Sequence, residues 1–275
     1  MITPIKKLVP GPAGALAIYV QGDPSAPVVL MSPSILSTSM MWSEQADLLA
    51  AAGWCVVRAD TRGHGASFAA PAPYAMSDLV ADTVAVLDAL QIERAHYVGL
   101  SLGGMTGLGL GIHQAKRLLS LCLCDLRADA TPAFAAPWDE RIAIATEKGC
   151  GALAESTAER WFGKAFVQAN PAIALRFHEA MAATSLAGFV GCSRALQQLD
   201  YLPDVARITT PTTLIVGAND GPLPLAMQEL QKLIAGAVLE VIPDAAHLPN
   251  ITQPAAFNAA LLRHFERFNA LRTCP

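Results

Sequence analysis

Apolar residues along this chain follow two rhythms, short β-branched runs and longer stretches at helical spacing, and their alternation sets the expected architecture. Ala15 to Val20 and Val28 to Met31 read as strands separated by a Gly22-Asp23-Pro24-Ser25 turn. Residues 43 to 52 look helical and stop at Gly53, and Trp54 to Arg58 is again a strand. Between Met76 and Leu90, the residues Leu79, Val80, Val84, Leu87 and Leu90 keep helical spacing, with Ser77 as the expected N-cap. Ala95 to Leu100 is a strand, Met105 to Leu110 opens a helix, and Leu118 to Cys124 is a further apolar strand. Such alternation implies right-handed βαβ crossovers and a mostly parallel α/β sheet with helices on both faces. The rhythm stops from Ala130 to about Val205, an Ala-rich and helical stretch whose bulky residues are Trp138, Trp161, Phe166, Phe177 and Phe189. It resumes with a strand at Thr212 to Val216, a helix near Pro224 to Ile234, a strand at Val238 to Ile242 and a last helix over about Pro254 to Phe268. The expected organisation is a core domain of residues 1–129 and 206–275, interrupted by a helical cap, 130–205, over the carboxyl edge of the sheet, where α/β folds bind ligands.

Composition narrows the partners. A chain of 275 residues, 53% hydrophobic and only 15% charged, is apolar without containing a membrane span. Its longest run free of Lys, Arg, Asp and Glu, Ala95 to Ala115, is broken by six glycines and two histidines. The start, Met1-Ile2-Thr3-Pro4-Ile5-Lys6-Lys7, has no apolar signal core, so the expected place is the cytoplasm. A net charge of −4 with no basic cluster argues against nucleic acid and acidic membranes, leaving a small molecule as the expected partner and homo-oligomerisation open. The six cysteines are scattered, with no Cys-x-x-Cys pair, and no histidines pair at a metal-ligand spacing. Neither metal nor cofactor is expected. The tail Arg272-Thr273-Cys274-Pro275 reads as frayed.

The chemistry centres on Gly99-Leu100-Ser101-Leu102-Gly103, a Gly-x-Ser-x-Gly turn between a strand and a helix. Such a nucleophile elbow presents a serine oxygen at the sheet edge, with glycines where Cβ atoms would collide. A serine hydroxyl needs a base, itself oriented by a carboxylate. In the order Ser, acid, His, the chain offers Ser101, Asp220 and His247, each just past an expected strand. Asp125 also follows a strand and is the alternative acid. An oxyanion calls for two amide donors. Leu102, at a helix start, is one, and Ile35 in the Ser32 to Ser39 loop is the other, with Ser34 as its alternative. His64, His96, His113, His178 and His264 are expected to be structural or solvated.

These residues resemble the α/β-hydrolase superfamily, and within it the 3-oxoadipate enol-lactonases, over nearly the whole chain. The resemblance rests on Ser32-Pro33-Ser34 before Trp42, on Asp60-Thr61-Arg62-Gly63-His64-Gly65-Ala66-Ser67, on Gly99 to Gly107, on Trp138 to Ile142, and on Ala245-Ala246-His247-Leu248-Pro249-Asn250 with Gln253-Pro254. It implies Ser101 as nucleophile, Asp220 as orienting acid, His247 as base and a small lactone or ester as substrate. Departures fall near the expected pocket: Pro33 between the two serines, Ile35-Leu36 after them, Leu108-Gly109 after the elbow, and Asp125-Leu126-Arg127 where Asn-Thr is usual. A substrate with a free carboxylate calls for a pocket arginine. Arg127 and Arg141 are the candidates, each with surface pairing to Asp129 or Glu140 as its alternative, and Trp138 is expected to line the pocket. Competing readings are a carboxylesterase for neutral hydrophobic esters, a carbon–carbon bond hydrolase, a perhydrolase, and a non-catalytic ligand receptor on the same scaffold.

Overall fold

A computed structural model of the protein describes residues 3–268, so the tail from Arg272 and Cys274 lie outside the described residues. The chain runs β1 (Ile5–Pro10), β2 (Ala15–Gln21), β3 (Val28–Ser32), α1 (Ser43–Ala51), β4 (Cys55–Ala59), α2 (Met76–Ala89), β5 (Ala95–Leu100), α3 (Leu102–His113) and β6 (Leu118–Cys124). Helices α4 (Pro132–Ala135), α5 (Pro137–Lys148), α6 (Ala154–Phe162), α7 (Lys164–Ala169), α8 (Pro171–Ala182) and α9 (Leu186–Gln197) follow without an intervening strand. The sheet resumes with β7 (Thr212–Gly217), α10 (Leu223–Leu233), β8 (Val238–Ile242), α11 (Pro249–Thr252) and α12 (Pro254–Arg267).

All eight strands form one sheet in the order β1-β2-β4-β3-β5-β6-β7-β8. β1 pairs antiparallel with β2, β2 antiparallel with β4, and every other pair is parallel. Every residue of β5, β6 and β7 is buried, as parallel strands covered on both faces must be. β1 is the element absent from the pattern reading. Its Ile5-Lys6-Lys7-Leu8-Val9-Pro10 sequence is exposed at all but Val9, and lysines with a terminal proline are how an edge strand discourages further pairing. The α2 helix starts one residue ahead of the expected Ser77 cap. Ala75 occupies the cap position, and the Asp78 carboxylate accepts its backbone N–H at 2.8 Å.

One topological feature places the site. From β3 the chain crosses to β4 on one side, whereas from β5 it crosses to β6 on the other. Right-handed crossovers in opposite directions put α1 and α3 on opposite faces, opening a crevice at the carboxyl ends of β3 and β5. The loop after β3, the turn after β5 and the helices between β6 and β7 converge there.

Candidate active site

Ser101 sits at the turn from β5 into α3 with φ 56° and ψ −115°, a conformation that costs a non-glycine residue about 1–3 kcal/mol. Two clamps hold it: Ser101 N–H donates to the Cys124 carbonyl at 2.8 Å and its own carbonyl accepts from Met105 N–H at 2.8 Å. The flanking glycines are sterically required. A Cβ on Gly99 would lie 2.3 Å from the Gly103 carbonyl oxygen, and one on Gly103 would lie 2.3 Å from the Ser32 carbonyl oxygen. That close approach lets Gly103 N–H donate to the Pro33 carbonyl at 3.1 Å, tying the β3 loop to the elbow.

The β3 loop is anchored from behind. Leu36 N–H donates to His64 Nε2 at 3.0 Å, and His64 Nδ1 faces the Arg62 carbonyl at 3.1 Å. An acceptor Nε2 requires the proton on Nδ1, so His64 is neutral. Burial pushes its pKa down, in keeping with that state. Asp60 completes the anchor by accepting Ser39 N–H at 2.8 Å and Ala66 N–H at 3.1 Å. Ser34 N–H faces Met41 Sδ at 3.3 Å and Gly103 N–H is taken by Pro33. The Ile35 and Leu102 amides, by contrast, donate to no other described residue.

Asp220 lies just beyond β7 and His247 beyond β8. The Asp220 Oδ2 carboxylate oxygen and His247 Nδ1 are 2.7 Å apart, with both residues buried. Burial raises the Asp220 carboxyl, but His247 and Arg160 outweigh it, and the net shift is downward. The imidazole is therefore bonded through Nδ1, leaving Nε2 for another partner. Ser101 Oγ and Nε2 make no hydrogen bond to each other, and neither atom is among the fully buried polar atoms left without a partner. Asp125, the alternative acid, accepts Gly217 N–H at 2.8 Å rather than bonding a histidine. A second serine–histidine contact, Ser120 Oγ to His264 Nε2 at 2.8 Å, belongs to another place. It links His96, Ser120, His264 and Thr213 near the amino ends of β5, β6 and β7, with all four residues at 0% exposure. Asp220 takes no part in it.

Helices α5, α6 and α9 wall the site. The Trp161 ring lies against the His247 ring at 6.4 Å and 28° between planes, and its carbonyl accepts Leu248 N–H at 3.3 Å. Arg127 pairs with Asp129 at 2.9 Å and lies over Phe134, so its charge is neutralised locally. Arg141 differs. Its guanidinium rests 4.6 Å over buried Trp138 and 5.9 Å from Phe189, donates to Thr157 Oγ1 at 3.0 Å, and meets no carboxylate among the described residues. Arg160, one turn beyond Thr157 on the same face of α6, was not legible in the sequence. It too lacks a carboxylate bridge among the described residues, yet it is near enough to Arg141 for the two to repel and near enough to Asp220 to be attracted. Desolvation, reinforced by Arg160, pushes Arg141 down to about 10. Arg141 and the exposed Arg160 are thus two neighbouring cations, of which Arg160 also feels the Asp220 carboxylate. No group of three or more His, Cys, Asp or Glu able to hold a metal occurs among the described residues.

The model of the alpha/beta hydrolase family matches residues 25–260. The chain belongs to that family. Among its relatives is 3-oxoadipate enol-lactonase 2 of Acinetobacter baylyi, 34% identical over 249 residues, 90% of this chain and 92% of that protein. A hydrolase from Pseudomonas aeruginosa PA01 superposes with a TM-score of 0.89 at 36% identity, covering 94% of this chain and 98% of that one. The enol-lactonase from Burkholderia xenovorans LB400 superposes with a TM-score of 0.90 at 30% identity, covering 94% and 100%. This hydrolase thus shares the fold of that enol-lactonase over 94% of its length. No described helix is long and apolar enough to cross a membrane.

Proposed function

We propose that the protein hydrolyses a lactone or small carboxylic ester bearing a free carboxylate, in the manner of a 3-oxoadipate enol-lactonase. The observation that carries the reading is His247, bonded through Nδ1 to Asp220 at the same sheet edge as the conformationally strained Ser101. In this mechanism His247 Nε2 removes the Ser101 proton as Oγ attacks the carbonyl carbon. The oxyanion is met by the amides of Leu102 and Ile35, which no other described residue occupies. Collapse expels the ring or ester oxygen, which takes the proton from His247. Water activated by His247 then cleaves the acyl-enzyme. Asp220 keeps the imidazole in its working tautomer and offsets the positive charge it gains. The helices of 130–205 act as the cap, and Arg141 with Arg160 takes the substrate carboxylate. Similarity to enol-lactonases supports this reaction class.

The test is a rate panel of 3-oxoadipate enol-lactone, a neutral lactone and short p-nitrophenyl esters, with wild type and Ser101→Ala. Loss of the nucleophile should lower turnover by several orders of magnitude. Full turnover by the variant would refute the mechanism, and indifference to the acidic lactone would refute the substrate class.

A further inference from the structure

Asp125 is a buried carboxyl for which the mechanism has no assigned role. It follows β6 with φ 47° and 0% exposure. Its backbone N–H donates to the Ile215 carbonyl at 2.9 Å, and its Oδ1 accepts from Gly217 N–H at 2.8 Å, which fixes the side chain against the end of β7. Its Oδ2 is fully buried and has no hydrogen-bond partner among the described residues. The neighbouring acid is Asp220, reached through Gly217, whose N–H Asp125 Oδ1 accepts and whose carbonyl accepts Asp220 N–H at 3.1 Å, and the two carboxyl side chains interact.

Two carboxylates in contact and out of water cannot both ionise. The surrounding charges decide which holds the proton. Asp220 has His247 on the loop after β8 and Arg160 on α6. Asp125 has Cys124 beside it on β6, Asp220 on the loop after β7, and no cation pairing with it among the described residues. We propose that Asp125 is a neutral carboxylic acid whose Oδ2–H donates to the Asp220 carboxylate, making it a positioning residue that extends the Ser101–His247–Asp220 relay inward by one member. Desolvation followed by Asp220 raises its pKa, consistent with this assignment. The bond has a chemical rationale. A donor to the Asp220 carboxylate holds its plane toward Nδ1 and tempers its charge. The inference rests on the triad reading above.

Asp125→Leu and Asp125→Asn separate this role from simple packing. Leu removes the donor, whereas Asn keeps the shape, the acceptor for Gly217 and a donor that never ionises. The expected result is a roughly ten- to hundredfold fall in kcat with little change in KM for Asp125→Leu, and recovery to within about threefold for Asp125→Asn. The pH profile should follow. A folded-state carboxyl with a raised pKa holds its proton where the unfolded chain has lost it. Wild-type stability therefore declines as pH climbs above the ordinary carboxylate range, kcat falls only where the folded Asp125 itself gives up its proton, and Asp125→Asn should abolish both slopes. Infrared spectra with labelled aspartate should show a protonated carboxyl stretch at neutral pH in wild type that is absent from Asp125→Asn. A missing band, or Asp125→Asn losing kcat as fully as Asp125→Leu, would overturn the proposal. The infrared and thermal measurements need no turnover, so they judge Asp125 even if Ser101→Ala were to remain active and the triad reading fail.

Discussion

Replacing Arg141 by Met should remove the preference for acidic substrates proposed above, so that acidic and neutral substrates are treated alike. Of the five N–H donors of a guanidinium, Arg141 commits one to Thr157, so a fork remains for a carboxylate. Two charge-assisted hydrogen bonds are worth about 3 kcal/mol or more in isolation, and Arg160, still nearby, recovers part of that. The net loss should be about 2–3 kcal/mol, or roughly 30- to 160-fold in kcat/KM, for a carboxylate-bearing lactone. It should fall mainly on KM, because the carboxylate is held equally in ground and transition states. A neutral p-nitrophenyl ester should change by less than about twofold. Stability should move little. The lost Thr157 bond and the stacking on Trp138 are offset by relief from burying a cation against Arg160. The protonation state gives a second check. Since Arg141 is pushed down to about 10, KM for the acidic lactone should climb as pH passes that value, and KM for the neutral ester should not. Steady-state kinetics with both substrates, alongside thermal melting, decide the matter. A parallel fall for both substrates would mean that Arg141 supports the fold rather than the ligand. No fall for either would remove the anion receptor.

Three further outcomes follow from particular contacts. Ser101→Gly should abolish esterase activity yet raise stability by about 1 kcal/mol, as the 1–3 kcal/mol of strain at φ 56° outweighs the 0.5–1 kcal/mol entropic penalty of glycine. An unchanged melting temperature would count against strain there. Gly103→Ala should lower stability by about 3 kcal/mol or more, because its Cβ meets the Ser32 carbonyl oxygen, backbone that cannot rotate away. A well-folded, active variant in urea titration would contradict the elbow packing. His264, pushed by burial to about 3, stays neutral in the fold while an unfolded histidine charges below about 6.5. Stability should therefore be lost as pH falls from 6.5 toward 3, at about 1 kcal/mol per pH unit from this group. A urea midpoint that is flat between pH 6.5 and 5 in Asp125→Asn, where the opposing Asp125 slope is absent, would refute it.

The strands were legible where burial leaves no alternative. Ala95 to Leu100 and Leu118 to Cys124, buried throughout, have the same bounds in the sequence pattern and the structure. β1 escaped because its lysines serve an edge rather than a core. Helices α4 to α9 were read as a single stretch, since their Ala-rich sequence gives little contrast between faces and their breaks at Gly149 and Gly163 are positive-φ turns. The serine, the acid and the histidine could be named because each follows its strand within a few residues, so local order was enough. Arg160 could not, because its relation to Arg141 depends on how α5 packs on α6 through Thr157. His64 was expected to be structural, and it is. What spacing could not convey is that its Nε2 holds the loop opposite the elbow. The sequence displayed Asp125 as a rival of Asp220, whereas in the structure the two are neighbours in one buried contact.

Helix α6 carries Arg160 on one face and, at the next position, Trp161 against the His247 ring. The wall that selects the ligand and the support behind the base are therefore one rigid piece. A lineage adapting this scaffold to a new substrate by moving α6 would drag the imidazole with it, so selectivity and turnover should be inherited as a linked trait. Drift in substrate range should be freer through α5 and α9, where Trp138 and Phe189 pack on each other and on Arg141 and no ring contact joins them to His247. Laboratory selection for altered substrates should accordingly accumulate substitutions there first and leave residues 157–161 alone.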